Sequence, residues 1–191
     1  PIFMDLFDNL LFNYTHNKLY NAQFLKSNNL KFIDWLPIDQ DTNFNIDVFK
    51  KLNKLTISTR SYYHYVKTFE ETIVTRYHAN KFKVRTFRYD RLKQLLMDWG
   101  IYNEENRKKL ASMYIHHVIE CFEIYNHEKC NLSVSDKKRE IGKILDTEQV
   151  RECIKVLDRT NSFYTNMVFK QMKGSRINGI YSIARLKRVL R

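Results

Sequence analysis

Two prolines and four glycines in 191 residues are too few for a loop-rich or disordered chain. No apolar run approaches the roughly 18 residues that a membrane-spanning helix needs, and no signal peptide is visible. The three cysteines, Cys121, Cys130 and Cys153, form neither a C-x-x-C pair nor an even set, which argues against a secreted disulfide framework. They read as reduced, cytosolic thiols, with Cys121 in a core. There is no phosphate-cradling glycine loop, no Gly-x-Ser-x-Gly elbow and no Cys/His metal spacing. His116-His117 lacks the glutamate and the i,i+4 spacing of zinc peptidases and reads as a half-buried pair. The chain opens on Pro1-Ile2-Phe3 without an initiator methionine, as a processed chain or a piece of a longer one would.

What is present is a core and a charge. Hydrophobic residues make up 43% of the chain and aromatics 14%, enough to bury one domain or one and a half. The net charge of +12 favours a polyanionic partner: nucleic acid, an anionic membrane surface, or a nucleotide-linked or lipid-phosphate substrate.

Periodicity divides the chain in two. Residues 2 to 12 suit one face of a packing helix. A short helix is predicted from Ala22 to Asn28, stopped by Asn28-Asn29. Leu30 to Ile33 reads as a short strand, and Trp35-Leu36-Pro37 breaks regularity. Phe44, Val48, Phe49 and Leu52 mark a helix over 42 to 53. The run from Lys54 to Val66, dense in β-branched and aromatic residues, has strand character, with Tyr63 and Tyr65 on one face. Thr68 to Tyr77 is a polar connection. From Asn80 the pattern is helical: a helix stopping at Gly100, another capped by Asn103 with a stripe from Leu110 to Tyr125, a polar loop over 128 to 138, then helices near 147 to 158 and 161 to 173. The tail from Lys170 to Arg191 interleaves Lys and Arg with apolar residues. That pattern suits either a helix lying on an anionic membrane or one packed on its own domain.

One ordered set stands out: Asn17-Lys18-Leu19-Tyr20, then Asn28-Asn29-Leu30-Lys31-Phe32, then Asp39-Gln40-Asp41 leading into Phe44-Asn45, and Tyr63-His64-Tyr65. This order, over about residues 10 to 80, resembles the second half of the catalytic domain of family 2 glycosyltransferases, which build bacterial capsular, exo- and teichoic polysaccharides. Their usual Gly-Glu-Asp is Asp39-Gln40-Asp41 here.

The resemblance implies an α/β fold: residues 1 to 78 as the acceptor-side half of a GT-A-like sandwich, and 79 to 191 as an all-helical C-terminal region. It implies transfer of a sugar from a nucleoside-diphosphate donor to a glycan acceptor, lipid-linked or not, on the cytoplasmic face of a membrane. Asp41 takes the place of the general base. Asp39 and Gln40 flank it at the substrate, Lys18 pairs with the diphosphate, and His64 approaches the diphosphate or a divalent metal (Mg or Mn). The family's own metal turn precedes the Asn-Lys-Leu-Tyr run, so the nucleotide-binding half is expected before Pro1, and this chain alone is expected to be inactive.

Each of these residues has a plainer role open to it. Asp41 suits a helix cap, His64 suits packing among tyrosines, and an exposed lysine needs no partner. A basic binding module is the alternative for the whole chain. Tyr62, Tyr63, Tyr65, Arg76 and Tyr77, with Lys81, Lys83, Arg85 and Arg88, interleave aromatics and cations as single-strand nucleic-acid binders do, though no nucleic-acid motif accompanies them.

Overall fold

The structure is a computed structural model that describes residues 2–60, 62–64, 66 and 76–189. Among the described residues there are nine α-helices and no strand. The expected α/β sandwich half is therefore corrected to an all-helical fold. Leu30 to Ile33 and the described part of Lys54 to Val66 are extended or irregular chain. β-Branched residues favour an extended backbone, but a strand exists only through a partner's hydrogen bonds. Residues 53–60 are all exposed, and no such partner lies beside them among the described residues. Tyr65, and with it the Tyr63/Tyr65 face, lies outside the described residues, as does the connection from Thr68 up to residue 75.

The chain separates into two compact units, Pro1–Arg76 and Tyr77–Arg191. The first holds α1 (Ile2–Asp8), α2 (Ala22–Ser27) and α3 (Gln40–Lys51). Phe3 and Phe7 are one helical turn apart. Phe3 and Phe49 each meet Phe12 edge-on at 4.9 Å, the geometry that the ring quadrupole favours. Phe12 and Ile46 are fully buried, whereas Leu10 and Leu11, expected on the same face, are exposed. Asn29, at φ 50°, ends α2: its N–H reaches Lys26 O and the next N–H reaches Leu25 O, which satisfies the last carbonyls.

The second unit is a helical bundle: α4 (Lys81–Asp98), α5 (Glu104–Ile124), α6 (Val134–Leu145), α7 (Glu148–Val156), α8 (Phe163–Lys173) and α9 (Ile177–Val189). α5 is the central helix, packed by α4, α7, α8 and α9. Its buried residues Leu110, Tyr114, Val118, Cys121 and Phe122 follow the stripe read from the sequence. α4 stops as expected at Gly100, whose φ of 65° lets Gly100 N and Ile101 N reach Met97 O and Leu96 O. Asn103 caps α5 through Asn106 N at 2.9 Å.

The polar loop expected over 128 to 138 is corrected at its far end. Ser133 accepts Asp136 N–H at 3.1 Å and starts α6, a helix whose polar first turn hid it. α9 buries Ile180, Tyr181 and Ala184 and packs on α5, α6 and α8. Part of the apolar side of the basic tail thus lies inside the unit, while Leu186 is exposed. On its polar side Lys187 reaches Glu123 Oε1 at 2.6 Å and lies 4.0 Å from the centre of the Tyr164 ring. No helix among the described residues is long and apolar enough to cross a membrane.

Candidate functional site

α3 is buried along most of its length, including the polar residues Thr42, Asn43 and Asn45. Buried polar groups need partners, and here a folded-back loop supplies them. Asn45, with no exposed surface, donates through Nδ2 to Phe12 O (2.7 Å) and Tyr14 O (3.2 Å). Its Oδ1 accepts the Tyr20 hydroxyl at 2.6 Å. Thr42 Oγ1 donates to Asn13 O at 3.3 Å. One helical turn before Asn45, on the same face, Asp41 Oδ2 accepts the backbone N–H of Thr15 at 3.2 Å. Residues 12–20 are thereby fastened along the first half of α3.

Asp41 is half-buried, in the first turn of α3, where the helix dipole favours a carboxylate. It is close enough to act on both Lys18 and Tyr20. Burial and the Asp41 charge together push the Tyr20 phenol well above its ordinary range, so it stays a neutral donor. Burial pushes the Lys18 ammonium down to about 8, against the upward pull of Asp41.

The structure brings Lys18, Tyr20, Asp41 and Asn45 together and treats the other expected residues differently. The Lys18 ammonium donates to Leu11 O, Tyr14 O and Asn17 Oδ1. All three acceptors lie within residues 11–17, so the ammonium ties this loop to itself. Asp39 is the N-cap of α3 without a side-chain capping bond, and its backbone is left-handed at φ 61°. Glycine adopts that conformation freely, whereas an L side chain such as that of Asp39 is strained in it. Gln40 donates its amide to Leu36 O at 2.5 Å, a bond that a glutamate in the same place has no N–H to make.

His64 is exposed and has no hydrogen-bond or ring partner among the described residues. No group of three His, Cys, Asp or Glu side chains there is placed to hold a metal.

Two features were missed by the sequence reading. Asn45 had a signal, one turn after Asp41 on the same helical face. The ladder Tyr14–His16–Tyr63 had none, because its third ring comes from far along the chain: His16 stacks against Tyr14 at 5.0 Å and against Tyr63 at 4.6 Å.

The second unit has its own polar cluster. The buried Lys81, Arg85 and Arg88 face α5, where Glu120 Oε2 lies 3.3 Å from Arg85 and 3.8 Å from Lys81. Arg88 Nη2 lies 2.7 Å from His117 Nδ1. Burial, then Arg88, Arg85, His116 and Lys81, hold His117 well below its ordinary range, so it accepts from Arg88 as a neutral ring. Three of the five cations named for the nucleic-acid reading, Lys81, Arg85 and Arg88, are therefore buried in the bundle.

Comparison with protein families, with curated proteins and with solved structures returns no match to this chain.

Proposed function

We propose that the corner formed by residues 12–20 and the start of α3 is the acceptor side of a sugar-transfer site, with Asp41 as its general base. The observation that carries this reading is the convergence of Tyr20 and Lys18 with Asp41 and Asn45. These residues come from two separated runs of the ordered set, and they meet around one half-buried carboxylate. A base must be held rigidly yet be reachable. The Thr15 N–H and the helix fix Asp41, while the carboxylate remains partly open.

In the proposed step, Asp41 takes the proton of an acceptor hydroxyl as its oxygen attacks the anomeric carbon of a nucleoside-diphosphate sugar. The bond from that carbon to the diphosphate breaks, and the electron pair leaves with the nucleotide. The resemblance assigns donor binding to elements that precede the Asn17–Tyr20 run, so the test uses the product of the complete reading frame. With a panel of nucleoside-diphosphate sugars and the membrane glycan fraction as acceptor, Asp41→Asn is expected to lower kcat by about 10²–10⁴. Asparagine still offers an oxygen to Thr15 N–H, so the fold and its melting temperature stay unchanged. A rate within twofold of wild type overturns the assignment.

A second reading rests on the same Thr15–Asp41 bond: the carboxylate is a clamp without chemistry. It expects Asp41→Ala, which loses the acceptor, to cost about 1 kcal/mol, and Asp41→Asn to be silent in every assay.

A further inference from the structure

We propose that the open end of the α8–α9 pair is a surface that docks on a membrane bearing anionic phospholipids. The surface belongs to the second unit and does not depend on the role of Asp41. At the closed end, Ser175 N–H donates to Met172 O (3.0 Å) and Arg176 N–H to Gln171 O (2.9 Å). These bonds finish α8, and the chain turns back within three residues into α9, which packs on α8. The open end is fixed by Lys187, whose ammonium lies 4.0 Å from the centre of the Tyr164 ring. Tyr164 is the second residue of α8 and Lys187 is near the end of α9, so the start of one helix and the end of the other lie together.

Apolar side chains stand out from this end. Phe163 and Leu186, the chain neighbours of Tyr164 and Lys187, are 84% and 59% exposed. Met167, one turn along α8 from Phe163, is exposed as well. The inner face of α8 supplies Thr165, Val168, Phe169 and Met172 to the core, whereas Phe163, Met167 and Lys170 recur at i, i+4 and i+7 as its outer stripe. A single exposed apolar residue is ordinary, but a phenylalanine and a leucine held out at one end of a helix pair are a feature of the surface.

Charge selects the occupant. Residues 157–191 carry eight lysines and arginines against one acidic residue, Asp158, so this short stretch holds seven of the twelve net positive charges of the chain. Arg185, beside Leu186, is exposed, as are Lys170 on the outer stripe of α8 and Arg159 just before the helix. Glu123 also lies at this end, and its charge is met by Lys187 at 2.6 Å. A second copy of the same face would set cation against cation. A nucleic acid suits the cations and Phe163, but Met167 and Leu186 offer a base no π face to stack on. An anionic bilayer suits both kinds of residue: its phosphates take the arginines and the lysine, and its acyl boundary takes the phenylalanine, methionine and leucine.

The test mixes the 191-residue chain with vesicles of phosphatidylcholine, alone or with about 30% phosphatidylglycerol, and reads binding by co-sedimentation. The expected result is binding to the phosphatidylglycerol vesicles alone, weakened by salt, and at least about tenfold weaker in the double variant Phe163→Ser/Leu186→Ser. Both positions are exposed, so the far-UV circular dichroism and urea midpoint of that variant are expected to match wild type. The face is located with Phe163→Trp in a chain carrying Trp35→Phe and Trp99→Phe. The introduced indole is expected to shift its emission to the blue on the same vesicles and to be quenched by lipids brominated on their acyl chains. No binding of the wild-type chain at about 50 mM salt and about 1 mM lipid overturns the proposal. So does full binding by the double variant, which shows attraction by charge alone, or an unmoved emission on vesicles that do bind. A single-stranded oligothymidylate is titrated in parallel; binding that the same double variant weakens assigns the surface to nucleic acid and overturns the proposal.

Discussion

Asn45→Asp tests whether the loop of residues 12–20 is held on α3 by one buried amide. The substitution keeps shape and volume but replaces a donor by an acceptor. The Asn45 amide donates to two carbonyls, at 2.7 and 3.2 Å, with no exposed surface. Losing both bonds costs about 1–1.5 kcal/mol each. An ionised carboxylate facing the same carbonyls adds a desolvation cost of a few kcal/mol, which protonation limits. The sum at neutral pH is about 3–5 kcal/mol.

The protonated acid can donate one bond back, so its pKa is raised in the folded state. The folded form then binds more protons than the unfolded one above pH ~4, and the deficit grows as pH rises. Asn45→Leu loses the same bonds without adding a charge, so its deficit relative to wild type is flat with pH. The assay is urea unfolding followed by Trp35 fluorescence in a Trp99→Phe background, where Trp35 is the sole indole and reports on the first unit. An Asn45→Asp protein within about 1 kcal/mol of wild type at pH 7, or a deficit flat between pH 5 and 8, would refute the hub.

Acid is expected to weaken the helical bundle in two stages. His117 stays neutral when folded, so only the unfolded chain takes up a proton as pH falls below 6.5, and stability drops from there. For Glu120, burial pushes the carboxyl up, but the His116 hydrogen bond and the Arg85 and Lys81 charges outweigh it and hold it at about 2. Its contribution, present above pH 4.5, is lost as pH falls toward 2. Urea midpoints read from Trp99 in a Trp35→Phe background check both stages. His117→Asn should abolish the first, and Glu120→Gln should remove the second and cost about 2 kcal/mol at pH 7. At position 39, Asp39→Gly should be more stable than Asp39→Ala by about 1 kcal/mol in the same Trp35 assay, because both lose the side chain and only alanine resists a φ of 61°. Equal stability of the pair would show that the left-handed backbone is not enforced.

Several elements were legible because their determinants are local. Asn29, Gly100 and Asn103 end or cap helices through the conformations and side-chain oxygens that their own types supply, and each did so where expected. The α5 stripe and the buried Cys121 follow from a 3.6-residue period alone. α6 was hidden because its first turn is as polar as a loop, and its start depends on one serine cap.

What the sequence could not decide were outcomes that need a second surface. Lys54 to Val66 has strand composition, yet a strand needs a hydrogen-bonding neighbour, and the described residues provide none. The basic tail has an amphipathic pattern that suits a membrane and a bundle equally; the bundle holds Ile180 and Ala184. Lysine and arginine look alike in a charge count whether they face water or, like Arg85 and Arg88, a carboxylate and a histidine inside the fold. Lys18 has three acceptors within its own loop, which a lysine's place in a sequence motif does not reveal. The amino-acid order thus determined where helices begin, end and turn their apolar faces, since those depend on neighbours within four residues. Only the tertiary structure decided which polar groups meet, because the partners of Asp41, Asn45 and His16 come from elsewhere in the chain and are found when it closes on itself.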